Sequence, residues 1–268
     1  MYLPAKYRAF TLIELIMVIA IASVMATVSV RFITLASQGL IDTGARQQLS
    51  GSSSVVNEQI SRALRDALPG SIRTTADGLC VEYMPIVAAS SYTDVELGNS
   101  ISLLRAAPYS QVRAANGYVS IYPLASNNLY SLANPGALTA NLATVNAGNS
   151  EITVTLGGPH RFPTDSPNRR FYLSTEPETI CQDGSYLYRY SGYGFISNVA
   201  SLRSSLPADT ASGREVLAYP LVNNSMVFRY SPATLQRNGI VSFNYQLQHD
   251  ATGELLSAAQ QVRIRNVP

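Results

Sequence analysis

Residues Phe10–Ile33, FTLIELIMVIAIASVMATVSVRFI, are apolar over most of their length and carry one acid, Glu14, near the start. A helix crosses a bilayer with roughly 20 apolar residues, and Phe10–Val30 supplies them without Pro or Gly. An ionised side chain in hydrocarbon costs about 2.5–3.5 kcal/mol even on insertion scales, so an acid there needs a cation or a task. An ordinary secretory signal shares the basic start, the apolar run and a small-residue site such as Val24-Met25-Ala26. Glu14 inside the run argues against that reading. The preceding leader, MYLPAKYRA, holds Lys6 and Arg8 and no acid. Positive flanks stay cytoplasmic, so the bulk of the chain is expected to face out. Ser23, Thr27 and Ser29 are expected to bond back to their own helix.

Composition bounds the remainder. Beyond the anchor, the 268-residue chain suits one domain, and 46% hydrophobic content with 16 Tyr is enough for a core. The formal net charge is +2 and the leader's Lys6 and Arg8 account for it, with no block of Lys or Arg elsewhere. Nucleic acid is therefore not an expected partner. Only 13% of residues are charged while Ser, Thr, Asn and Gly abound, a composition associated with envelope β-domains. Two cysteines, Cys80 and Cys181, would lie in an oxidising periplasm, where one disulfide is the natural outcome. Set so far apart, with only His160 and His249, they make a poor zinc set. No metal and no cofactor is expected.

Val56, Ile60, Leu64 and Leu68 recur every four residues with Ala63 and Ala67 beside them, one apolar helical face. Asn57, Glu58, Ser61, Arg62, Arg65 and Asp66 take most of the opposite side. Pro69-Gly70 supplies the stop, which predicts a helix ending near Leu68. Gly39, Gly44 and the Gly51–Ser54 run weaken its middle, each Gly by about 1 kcal/mol against Ala, and predict bending or local melting. The expected domains are a leader over 1–9, a transmembrane helix over 10–33, a periplasmic amphipathic helix over 34–68 and a β-rich globular head over 69–268. The fold class is α+β, a long N-terminal helix packed on a β-rich head.

Strand signals follow at Cys80–Val87, Ile101–Arg105, Tyr118–Leu124, Glu151–Leu156, Arg170–Ser174, Tyr186–Tyr190, Val216–Leu221, Met226–Tyr230, Ile240–Gln248 and Leu255–Arg265. Asp77-Gly78, Asn116-Gly117, Asp183-Gly184 and Asn238-Gly239 read as turns. Phe243, Tyr245 and Leu247 alternate with polar residues, as do Val262 and Ile264, which describes a terminal hairpin with one buried face. Residues Ser126–Asn149 read as a long loop.

No catalytic constellation rises above chance. A Gly-x-Ser-x-Gly elbow, HExxH, Walker A and the dinucleotide glycine pattern are absent. His160 follows Gly157-Gly158-Pro159 and reads as a turn residue; His249 reads as an exposed hairpin tip. Asp94, Glu96 and Asn99 lack the spacing of a calcium loop. Tyr186, Tyr188, Tyr190 and Tyr193 are expected to fill and flank a core rather than bind sugar. The chain is not expected to be an enzyme.

The leader ending in a small residue, followed by Phe10, Thr11, Leu12, Ile13 and Glu14, resembles the class III signal of type IV pilins and type II secretion pseudopilins. The resemblance implies that a prepilin peptidase cuts between Ala9 and Phe10 and methylates the new amine. It also implies that Glu14 pairs with the α-amine of Phe10 in a neighbouring subunit, so that neither charge stands alone in low dielectric. Ala9 stands where that family usually carries Gly, and slower or incomplete processing is expected.

The segments Cys80–Asp94, Arg161–Leu173, Leu187–Phe195, Pro232–Phe243 and Gln261–Pro268 resemble the O-protein family of mannose-sensitive haemagglutinin (MSHA) pilus biogenesis. That implies a minor pilin that initiates or tips a type IV pilus. Its partners would be other pilin and minor pilin subunits, the prepilin peptidase and an inner-membrane assembly platform. Two alternatives share the signal: a J-like minor pseudopilin of type II secretion, and a pilus-tip adhesin.

Overall fold

The computed structural model describes residues 10–96, 98–108, 115–124, 126–146, 148, 150–208, 213–234 and 237–264. Lys6, Arg8 and Ala9 of the leader, Asn149 and the terminal residues 265–268 lie outside them. The chain divides into two units at Gln48–Leu49, with helix α1 (Leu12–Arg65) contributing to both.

No residue of α1 leaves the helical conformation, so the local melting expected at the glycines does not occur. Tertiary packing outweighs propensity in the Leu49–Arg65 portion. Leu49, Val56, Ile60 and Leu64 are buried there, and Ser53, 8% exposed, is tied to Tyr245 through a 3.1 Å contact between hydroxyls. The Tyr245 hydroxyl is also 3.1 Å from Asn57 Oδ1. Ser61, expected on the polar side, is buried as well, so the covered face is wider than the four-residue spacing implies.

The helix ends at Arg65 rather than near Leu68, because the main chain changes partners before Pro69. The Ile86 N–H donates to Asp66 O (2.9 Å) and the Leu68 N–H to Met84 O (2.8 Å). Leu68 is still fully buried, but from an extended segment.

Among its described residues the head, from Leu49 onward, contains three β-assemblies. A five-stranded sheet runs in the order β1 (Arg73–Thr74), β2 (Cys80–Tyr83), β9 (Glu178–Asp183), β10 (Tyr186–Tyr190), β11 (Arg214–Ala218). A closed barrel runs β3 (Ile86–Asp94), β4 (Ile101–Ala106), β7 (Ile152–His160), β6 (Ala143–Val145), β5 (Ala115–Ile121), β8 (Arg170–Ser174). A three-stranded sheet runs β12 (Val227–Ser231), β13 (Gly239–Gln248), β14 (Leu255–Ile264). One short helix, α2 (Leu202–Ser205), lies between β10 and β11.

The largest core joins Val56, Ile60 and Leu64 of α1 to Val81, Ile180 and Leu187 of the five-stranded sheet and to Phe243, Tyr245 and Val262 of the three-stranded one. The terminal hairpin presents the buried face that its alternation implies: Phe243, Tyr245, Leu247, Val262 and Ile264 are all buried. The barrel has its own core, including Leu104, Val119, Val154, Phe171 and Leu173.

Several elements differ from expectation. Cys80–Val87 is not one strand, because Met84 and Pro85 separate β2 from β3. Proline has no N–H for a ladder, and the chain passes there from the sheet to the barrel. Asn116-Gly117 lies within β5 instead of a turn; a Cβ on Gly117 would sit 2.6 Å from Ser174 O, so the glycine admits the neighbouring strand. Gly157-Gly158-Pro159 likewise belongs to β7, where a Cβ on Gly157 would meet Leu142 O at 2.3 Å. His160 is a buried strand end, not a turn residue, with Nε2–H donating to Gly136 O at 2.9 Å. The Ser126–Asn149 loop contains β6.

Candidate functional site

At the start of α1, Thr11 accepts a hydrogen bond at Oγ1 from the Glu14 N–H (3.4 Å), and its carbonyl accepts from the Leu15 N–H (3.2 Å). This is the Thr-x-x-Glu spacing of an N-terminal cap. It fixes the Glu14 carboxylate in the first helical turn, where exposed N–H groups favour negative charge. Among the described residues no cation pairs with Glu14.

From Phe10 to Gly44 every side chain is exposed. Phe10 is 76% exposed and Leu12 78%. A helix that is apolar on all sides is stable only when hydrocarbon or other helices surround it. This one is long and apolar enough to cross a membrane. Two of its hydroxyls bond back to the helix as expected, Thr27 Oγ1 donating to Val24 O at 2.8 Å and Ser23 Oγ to the carbonyls of Ile19 and Ala20, whereas Ser29 makes no such bond among the described residues. Glu14 is thus the one charged group between Leu12 and Val30.

Cys80 and Cys181 are register partners on β2 and β9, with Cα atoms 4.1 Å apart and their sulfurs bonded. β9 was not legible as a strand because four of its six residues, Thr179–Gln182, are buried in succession, leaving no alternation.

An ionic knot around Arg73 has no signature in the sequence. Its guanidinium bonds the Glu82 carboxylate and the carbonyls of Ile196 and Ser197, and its Cζ lies 3.6 Å from the centre of the Tyr130 ring. Tyr193 donates to Glu82 at 2.9 Å. Burial holds the Glu82 carboxyl above its ordinary range, with Arg73 and Tyr193 opposing that shift. Burial also drives the Tyr193 and Tyr130 hydroxyls far up, with Glu82 adding to it. The knot clamps the 191–198 loop and Tyr130 onto the sheet.

Two other surface features are defined among the described residues. A groove of ≈ 720 Å³ beside α1 is lined by Glu58, Arg62, Glu178, Arg189 and Glu215. Within it Arg62 pairs with Glu58 at 3.5 Å, and Arg189 with Glu178 at 4.0 Å and Glu215 at 3.8 Å, while Asp66 also lines the groove. Of the tyrosines, Tyr190 is buried, but Tyr186 stacks at 4.5 Å on Tyr219 and at 5.5 Å on Tyr188, whose ring carries the Arg214 guanidinium at 3.6 Å. Tyr186 and Tyr219 remain 38% and 46% exposed, so these two rings lie at the surface of the head rather than in its core. Among the described residues no three His, Cys, Asp or Glu side chains converge to hold a metal.

Residues 4–30 match the family model described as the prokaryotic N-terminal methylation motif. No curated protein and no solved structure matches the chain. The motif supports a protein of the type IV pilin or pseudopilin kind, a structural subunit rather than an enzyme. It implies processing by a prepilin peptidase and assembly with other pilins, and with the apolar helix it fits a membrane anchor carrying a soluble head.

Proposed function

We propose that this chain is a minor pilin that enters a type IV pilus of the MSHA kind and helps to initiate or tip it. In this reading the prepilin peptidase cleaves between Ala9 and Phe10 and methylates the Phe10 amine. Glu14 then accepts the α-ammonium of a neighbouring subunit's Phe10. The observation that carries the reading is the Glu14 carboxylate, without a cation among the described residues, the sole charge between Leu12 and Val30 of an exposed apolar helix and the fifth residue after the proposed cut. Pairing two opposite charges in low dielectric removes the cost of leaving either alone and sets the register between subunits. A head of some 200 residues (69–268) would crowd a repeating shaft, which favours a place at the start or tip.

The test is Glu14→Ala in the full chain. Processing stays largely intact while recovery in sheared filaments falls; undiminished recovery overturns the pairing role. Deleting the gene for this chain separates a pilus role from the pseudopilin alternative, because the first abolishes surface filaments and the second abolishes protein secretion.

A further inference from the structure

A cavity of ≈ 710 Å³ opens where the end of α1 meets the barrel, and Arg65, Asp66, Ser90, Ser91, Arg170 and Asn238 supply its polar lining. Arg65 is the last residue of α1 and Arg170 the first of β8, so two guanidiniums reach one cavity from separate elements. Among the described residues neither guanidinium has an ion pair or a hydrogen bond. Arg170 is placed by its main chain, in the β8 ladder and through an N–H that donates to Ser166 Oγ at 3.1 Å. Arg65 also complements the negative end of α1, whereas Arg170 has no such task.

The lining defines the chemistry of an occupant. Two guanidiniums and one carboxylate leave a single positive charge, and among the described residues no ion pair joins Asp66 to either arginine. A guanidinium is a rigid fork of donors that meets a carboxylate with two bonds at once. A monoanion therefore brings the site to neutrality. A phosphate monoester, with about −1.5 to −2 charges, overshoots it beside Asp66. The Asp66 carboxylate, the serine hydroxyls and the Asn238 amide also ask for partners that both donate and accept, which ligand hydroxyls do and a lone carboxylate does not. The volume lies in the range of small-molecule sites. Pro69, Ile86 and Ala89 give the cavity an apolar wall, suited to the C–H face of a sugar ring.

We infer that this cavity binds a sugar acid, a monoanionic polyhydroxylated ring whose carboxylate lies between Arg65 and Arg170 and whose hydroxyls meet Asp66, Ser91 and Asn238. The inference does not depend on the assembly role proposed above.

The test titrates the full chain in detergent with glucuronate, glucose, acetate and inorganic phosphate by calorimetry. Glucuronate is expected to bind saturably, about tenfold more tightly than the other three, and less tightly as salt rises. Arg65→Gln and Arg170→Gln are each expected to weaken glucuronate binding about tenfold. Ala89→Phe keeps both charges but fills the cavity, and is expected to abolish binding. Arg229→Gln, at an exposed arginine outside the cavity, is expected to stay within about twofold of the parent. An unchanged melting temperature shows that each variant is folded. A galacturonate trisaccharide that binds more tightly than the monosaccharide points to a polymer-borne sugar acid, and one that does not points to a free one. Glucose, acetate or phosphate matching glucuronate overturns the inference, as does parent-like affinity in folded Arg170→Gln or Ala89→Phe. So does the absence of saturable glucuronate binding by the parent.

Discussion

Arg73 and Glu82 are register partners on β1 and β2, and their ion pair lies inside the head: Glu82 has no exposed surface and Arg73 is 8% exposed. Breaking a buried pair from one side leaves an uncompensated charge, which costs about 3–5 kcal/mol. Arg73→Ala is expected to lower head stability by about that much in denaturant unfolding of the full chain in detergent. The double replacement Arg73→Met with Glu82→Leu is expected to lose far less. Equal losses would contradict the pairing account.

The same carboxylate sets a pH dependence. Burial raises the folded-state pKa of Glu82 above the ordinary 4.5 despite Arg73, so the folded protein binds the proton more tightly than the unfolded chain. The stability owed to this group is full below the unfolded value and declines as pH rises through the folded one. Unfolding free energies of the parent and Glu82→Gln, compared from pH 4 to 8, are expected to show the parent losing ground as pH rises. A gain over that range would refute the sign.

The Cys80–Cys181 bridge closes a loop of 101 residues. A cross-link over a loop of that length removes up to about 4.7 kcal/mol of unfolded-state freedom in the chain-entropy model. The Cys80→Ser, Cys181→Ser double variant is expected to melt well below the parent, and a reductant is expected to destabilise the parent alone. Chain recovered from cells is expected to be oxidised; mass spectrometry that finds both thiols free would contradict this.

Packing of α1 on the sheets makes a further contrast. Ile60 is fully buried and Val55 is 55% exposed. Ile60→Ala is expected to cost about 2–5 kcal/mol, whereas Val55→Ala is expected to stay within about 0.5 kcal/mol. Comparable losses at the two sites would show that the burial pattern of α1 is wrong.

How much of this was legible in the chain depends on how local the signal is. Phe10–Val30 and the Val56-Ile60-Leu64 stripe are read from one segment alone, because a bilayer or a core selects them by length or period. The terminal hairpin is legible for the same reason, its two-residue period running through Phe243, Tyr245 and Leu247. The barrel is not, because closure depends on strands far apart in sequence: β3 pairs with both β4 and β8, and β5 with both β6 and β8. Gly117 and Gly157 imitate turn residues although their task is to admit a neighbouring backbone. Arg73 and Glu82 carry no motif; only the β1–β2 register brings them together. At the site itself Glu14 stands out through its hydrophobic surroundings, a signal that lies within one segment.

The proposed pairing of Glu14 requires a freed amine at Phe10, and mass spectrometry of the mature N-terminus tests for it most directly. The account predicts a chain that begins at an N-methylated Phe10. A chain that retains MYLPAKYRA, or one that starts at Thr27 after ordinary signal cleavage, would contradict it.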